Sequence, residues 1–184
     1  MDIGAGIVLV LGGARSGKSE VAERLVAAAS LAAPVTYIAT GAVADPSSDP
    51  DWAARVAAHR ARRPPAWETV DVRAGGDLAS ALAAARAVVL VDSLGTWVAG
   101  LPAFGAGADV AAPLLRALDD RRATGHPSVL VSEEVGLGVH PSSPAGRQFR
   151  DELGTLNRRL ADGADQVLLV VAGRALALSG PSAL

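Results

Sequence analysis

Near the start of the chain, Gly12-Gly13-Ala14-Arg15-Ser16-Gly17-Lys18-Ser19 carries the spacing G-x-x-x-x-G-K-[ST]. That spacing suits one task, the holding of a polyphosphate. Glycines allow successive backbone N–H groups to turn inward around phosphate oxygens. A helix opening at Lys18 adds the positive end of its dipole. The lysine ammonium is placed to reach the β- and γ-phosphates, and the Ser19 hydroxyl to ligate Mg²⁺. The context agrees, because an apolar run, Ile7–Leu11, leads into the loop.

Such a loop needs an acid at the end of a neighbouring strand to complete the magnesium shell. Val88-Val89-Leu90-Val91-Asp92 supplies one. A simple helix cap is the other reading of Asp92. Glu133 and Glu134 follow a second buried run and compete for the metal role.

The histidines are three. His126 and His140 each precede a proline in a loop and read as surface residues. His59 lies in Arg55-Val56-Ala57-Ala58-His59-Arg60-Ala61-Arg62-Arg63-Pro64. On a helix, Arg55, His59 and Arg62 share one face. Cations around the ring disfavour imidazolium, and a neutral imidazole is a nucleophile. The same arginines attract polyphosphate. A solvated basic face with Val56 turned inward accounts for the spacing equally well.

These residues need a scaffold, and the hydropathy pattern describes it. Short apolar runs alternate with longer Ala/Leu/Arg segments, as in a parallel sheet covered by helices. Strands are expected at Ile7–Leu11, Val35–Ile38, Glu68–Val72, Ala87–Val91, Ser128–Val131 and Gln166–Val171, with Arg174–Leu178 as a hairpin addition. Helices are expected at Lys18–Ala33, Asp51–Arg62, Leu78–Arg86, Ala108–Thr124 and Ala145–Ala161. The expected fold class is α/β, a single P-loop NTPase (RecA-like) domain over residues 7–178, with 1–6 and 179–184 expected as loose ends. Neither Asp45–Asp51 nor Leu101–Gly107 is long enough to link two domains.

Composition narrows the function classes. Half of the residues are hydrophobic but 3% are aromatic, so Val, Leu, Ile and Ala must build the core. With 17 basic and 19 acidic residues and no basic tract, nucleic-acid binding is not expected. The absence of cysteine excludes disulfides and thiolate chemistry. No apolar run approaches the roughly 18 residues of a membrane span. Met1-Asp2-Ile3-Gly4 lacks the basic start and apolar stretch of a signal peptide, and the expected location is the cytoplasm.

Taken in order, the motifs resemble one family. They are the phosphate loop, Tyr37-Ile38-Ala39-Thr40-Gly41, the R-[IV]-x-x-H-R-x-x-R-P block ending in Trp67, and Leu90-Val91-Asp92-Ser93-Leu94-Gly95-Thr96-Trp97. They continue through Val131-Ser132-Glu133-Glu134-Val135-Gly136-Leu137-Gly138, Phe149-Arg150-Asp151 with Gly154 and Asn157, and Ala164-Asp165-Gln166-Val167. The chain resembles the bifunctional adenosylcobinamide kinase / adenosylcobinamide-phosphate guanylyltransferases of cobalamin biosynthesis. The resemblance implies phosphorylation of adenosylcobinamide by ATP or GTP. It then implies transfer of GMP from GTP to adenosylcobinamide phosphate through a histidine–GMP intermediate, with His59 in the histidine's place. It implies nucleotide contacts at Gly12 to Ser19, at Thr40, Gly41 and Ala42, at Arg60, Ala61, Arg62 and Arg63, and at Asp71 and Asp92. Aspartate stands at 71 where glutamate is the family's pattern. Asp92 remains open between metal and guanine. A homotrimer is also implied. A small-molecule kinase without nucleotidyl transfer explains the loop but leaves His59 and its arginines idle.

Overall fold

The computed structural model describes residues 3–30, 33–41, 50–101 and 109–178. They form a seven-stranded sheet with the elements β1 (Ile7–Gly12), α1 (Lys18–Ser30), β2 (Val35–Gly41), α2 (Pro50–Arg62), β3 (Glu68–Arg73), α3 (Leu78–Ala84), β4 (Val88–Asp92), α4 (Leu94–Val98), α5 (Ala111–Ala123), β5 (Ser128–Glu133), α6 (Pro144–Gly163), β6 (Gln166–Val171) and β7 (Arg174–Leu178). The strand order is β3-β2-β4-β5-β1-β6-β7. Neighbours run parallel except β6 and β7, the hairpin anticipated at Arg174–Leu178.

The central strands are apolar throughout because helices cover both faces. Successive side chains of β1 alternate between two cores. Ile7, Leu9 and Leu11 join Leu82, Leu94, Leu118 and Leu156 under α3–α6. Val8 and Val10 join Val21, Ala22 and Val26 of α1 on the other face. In α6 the spacing of Leu153, Leu156, Asn157 and Leu160 turns one stripe inward, while Ser143 caps the helix and Pro144 opens it.

Local differences from the expected elements have physical causes. β2 continues past Ile38 to Gly41, since Thr40 and Gly41 pair with Val72 and Arg73 of β3. α3 ends at Ala84, before Arg86, because Ala85 turns to extended geometry and Ala87 takes φ 50°. α4 was not anticipated; at five residues it is too short to show a helical period. The segment 1–6, expected as a loose end, is tied down from Ile3 onward. Ile3 is buried among the core residues on the α1 face, and its carbonyl accepts from the Gly6 amide. Ala108 and the 179–184 end lie outside the described residues.

Arg121 of α5 is a charged residue in a largely apolar interior. It is 4% exposed, and its guanidinium donates to Leu82 O, Ala85 O, Ala87 O and Ser128 Oγ. It thereby ties the end of α3 and the turn into β4 to the start of β5. Arg121→Met removes these donors while filling much of the same volume. Unfolding in urea should show a loss of about 3 kcal/mol from the stranded carbonyls, at unchanged m-value. An unaltered midpoint would show that solvent replaces the guanidinium at no cost.

Candidate active site

The C-terminal ends of β1, β2, β4 and β5 meet at one edge of the sheet, where open α/β sheets bind ligands. The loop leaving β1 is tightly built. A Cβ on Gly12 would stand 2.5 Å from Ser16 Oγ and 2.8 Å from Val170 O, so only glycine fits. Arg15 and Gly17 both take positive φ, at 57° and 90°. Gly173 N donates to Ser16 O, pinning the loop to the β6–β7 turn. Ser16 Oγ is buried without a hydrogen-bond partner.

A cavity of about 240 Å³ opens beside this loop. Lys18, Ser19, Thr40, Gly41, His59, Arg60, Arg63, Asp71 and Asp92 all line it. Of the other anticipated residues, Gly12, Gly13, Ala14, Arg15, Ser16 and Gly17 form the adjoining loop and do not line the cavity, and neither do Ala61 and Arg62. Ala42 lies outside the described residues, as does the side chain of Arg55.

Asp92 closes the inner end of the site. It accepts from Ser19 Oγ at 3.2 Å on one oxygen and from the Tyr37 hydroxyl at 2.6 Å on the other. His59 Nδ1 stands 3.4 Å from that second oxygen. Burial alone would raise the Asp92 pKa, but hydrogen bonds from His59, Tyr37 and Ser19 outweigh it and hold the carboxyl below its usual range. Burial, then the Asp92 charge, pushes the Tyr37 phenol upward, so it remains a neutral donor. The Ser19 hydroxyl beside an Asp92 oxygen is an oxygen pair of the kind Mg²⁺ takes together with phosphate. Among the described residues no cluster of three or more acidic or histidine side chains offers a fully protein-built metal cage.

The surroundings of His59 correct the expectation of a ring amid cations alone. Arg62 Nη2 lies 3.4 Å from Nδ1, but the Asp92 carboxylate lies equally near. Arg62 has a second partner in Glu23, at 3.4 Å. Arg63 stacks on the Tyr37 ring, 3.6 Å from its centroid, and its Nε is buried without a partner. Among the described residues, that atom and Ser16 Oγ are the only buried side-chain polar atoms so placed, and both belong to this region. Arg60 pairs with Asp71 at 3.3 Å, both largely exposed. Thr40 turns its hydroxyl to Ser93 O and to Thr96 Oγ1, joining the ends of β2 and β4.

Glu133 and Glu134 separate cleanly. Glu133 lines the cavity and pairs with Lys18 Nζ at 3.4 Å, whereas Glu134 bends back onto the Gly136 amide. The other histidines stay apart from this site: His126 meets Thr124, and His140 meets Arg150. Sequence reasoning did not assign Tyr37, Ser93 or Thr96 to the site. The available signal for Tyr37 was that it is the single tyrosine of the chain, buried in a strand ending in Thr-Gly.

Residues 8–178 match the family described as cobinamide kinase / cobinamide phosphate guanyltransferase. The bifunctional adenosylcobalamin biosynthesis protein CobP of Pseudomonas aeruginosa is 37% identical over 187 residues, spanning 94% of this chain and 96% of the relative. The corresponding protein CobU of Salmonella typhimurium is 38% identical over 181 residues, spanning 91% and 96%. Among solved structures, the flagellar accessory protein FlaH of Methanocaldococcus jannaschii superposes with a TM-score of 0.56 at 13% identity, covering 96% of this chain and 79% of that one. That likeness concerns the fold alone. The family match and the full-length relatives together show that the chain belongs to the cobinamide kinase / cobinamide phosphate guanyltransferase family.

Proposed function

We propose that this single cavity serves both reactions of the family. It phosphorylates adenosylcobinamide with ATP or GTP, and it transfers GMP from GTP to the resulting phosphate through a His59–GMP intermediate. The observation that carries this reading is that His59 shares one cavity with Lys18 and Ser19 of the phosphate loop.

The tautomer of His59 follows from its neighbours. Arg62 can only donate to Nδ1, and Asp92 can only accept from it. Arg62 has Glu23 as an alternative partner, whereas Asp92 is a buried charge that needs donors. Nδ1–H therefore points to Asp92, which leaves the Nε2 lone pair free for attack. In nucleotidyl transfer, Nε2 bonds to the α-phosphorus while the bond to the pyrophosphate oxygen breaks. An oxygen of adenosylcobinamide phosphate next attacks that phosphorus, and the N–P bond breaks to restore the imidazole. Lys18, Arg60 and Arg63 line the path and offset the accumulating charge. Arg63 Nε and Ser16 Oγ, unpartnered in the free protein, are donors held ready for phosphate oxygens.

Ser19 and Asp92 are the residues that would hold Mg²⁺, which would neutralise phosphate charge. Asp71 with Arg60 borders the cavity from β3 and α2 and is the better candidate for the nucleotide base than Asp92. No helix among the described residues is long and apolar enough to cross a membrane. We place the enzyme in the cytoplasm with its nucleotide substrates, and as a homotrimer. Val171, Leu176 and Leu178, exposed on the β6–β7 edge, offer apolar area of the kind subunit contacts use.

Two variants test the assignment. His59→Ala should yield no covalent GMP adduct with GTP, by mass spectrometry of the protein, while kinase turnover stays within about tenfold of wild type. A persistent adduct on that variant refutes the histidine assignment, and an adduct-free wild type reduces the protein to a kinase. Lys18→Ala should lower both adduct formation and phosphorylation by about 10²-fold or more, because both draw on one phosphate site. Loss of one reaction alone would mean two separate nucleotide sites.

A further inference from the structure

Glu133 is fixed more firmly than a residue that merely ends a strand. Its main-chain carbonyl accepts from Asn157 Nδ2 at 3.0 Å, and Asn157 Oδ1 accepts from the hydroxyl of Ser132 at 2.6 Å. The register of β5 on β1 sets it opposite Gly12, where the phosphate loop begins. Its carboxylate is held from a different element. Ser93 Oγ donates to Oε1 at 2.9 Å, and the Gly95 amide donates to Oε2 at 3.0 Å. A Cβ on Gly95 would stand 2.0 Å from Oε2, so the glycine leaves the space that this carboxylate fills. Two elements, α6 and α4, thus aim one acid at the cavity.

On the cavity side, Oε1 also meets Lys18 Nζ, at 3.4 Å. Lys18 is 5% exposed and, among the described residues, otherwise reaches only Gly13 O, at 3.5 Å. A lysine of this motif belongs on the β- and γ-phosphates when nucleotide is bound. Its departure leaves Oε1 facing the phosphate end of the site with only Ser93 attached. A carboxylate so placed can take a proton from a hydroxyl that approaches the γ-phosphoryl group.

From this arrangement we propose that Glu133 is the general base of the phosphorylation step and that in the free enzyme Lys18 occupies its proton-accepting oxygen. The proposal rests on the reading that nucleotide phosphates lie on residues 12–19. In the step, the substrate hydroxyl oxygen bonds to the γ-phosphorus, and the bond from that phosphorus to the β,γ-bridging oxygen breaks. The nucleoside diphosphate leaves, and the hydroxyl proton passes to Glu133 Oε1. Nucleotidyl transfer to His59 has no hydroxyl to deprotonate, since an imidazole lone pair attacks first and a phosphate oxygen second. Glu133 is therefore dispensable for that branch, and the two activities report on it differently.

The test is Glu133→Gln, which keeps the shape and, at the Oε2 position, one oxygen within reach of both the Gly95 amide at 3.0 Å and Ser93 Oγ at 3.1 Å, but cannot accept the proton. With adenosylcobinamide and ATP, kcat should fall by about 10²-fold or more with KM for nucleotide little changed. Formation of the His59–GMP adduct from GTP should remain within about tenfold of wild type, which also shows that the variant is folded. A kinase loss below about tenfold overturns the proposal, and so does an equal loss of phosphorylation and adduct formation. If wild-type protein forms no adduct, the histidine assignment fails instead. The base assignment is then decided by the same kinase comparison, with binding of a fluorescent GTP analogue as the folding control.

Discussion

A single buried carboxylate organises this protein's site. Asp92, at the end of a fully apolar strand, cannot stay ionised in that position without donors. Ser19 of α1, Tyr37 of β2 and His59 of α2 supply them. Those elements come from three different places along the chain, and the charge gives each a reason to approach the end of β4. The phosphate loop, the tyrosine under Arg63 and His59 are held together by the same two oxygens.

Around that anchor, in the cavity and beside it, opposite charges are balanced at short range. Lys18, Arg60, Arg62 and Arg63 would repel one another if each stood alone. Each has a separate partner in the free protein: Glu133, Asp71, Glu23 and the face of Tyr37. A triphosphate can displace several of these contacts at once, exchanging surface pairs of small net value for charge-assisted bonds to phosphate. The exposed Arg60–Asp71 pair gives way most easily. Lys18–Glu133 is more enclosed.

Much of this was legible in the chain itself. The phosphate loop could be recognised because its chemistry depends on backbone freedom and on spacing over a few residues. The buried strands could be read because parallel strands covered on both faces carry uninterrupted apolar runs. The ends of elements were less visible: α3 stops before Arg86 because Arg121, far along the chain, captures its last carbonyls. The five-residue α4 has too few positions to display a period. Glu133 and Glu134 are indistinguishable as neighbours in sequence, and opposite in direction on the folded strand end.

By itself, then, the sequence determined the class of fold, the phosphate loop and the candidacy of His59, since each rests on local spacing and side-chain type. The tertiary structure alone decided which acid faces the histidine, that Tyr37 shares its carboxylate, and that Lys18 rests on Glu133. Those pairings join residues tens of positions apart through strand order and register. No periodicity along the chain encodes them, because they depend on which strand ends the sheet brings together.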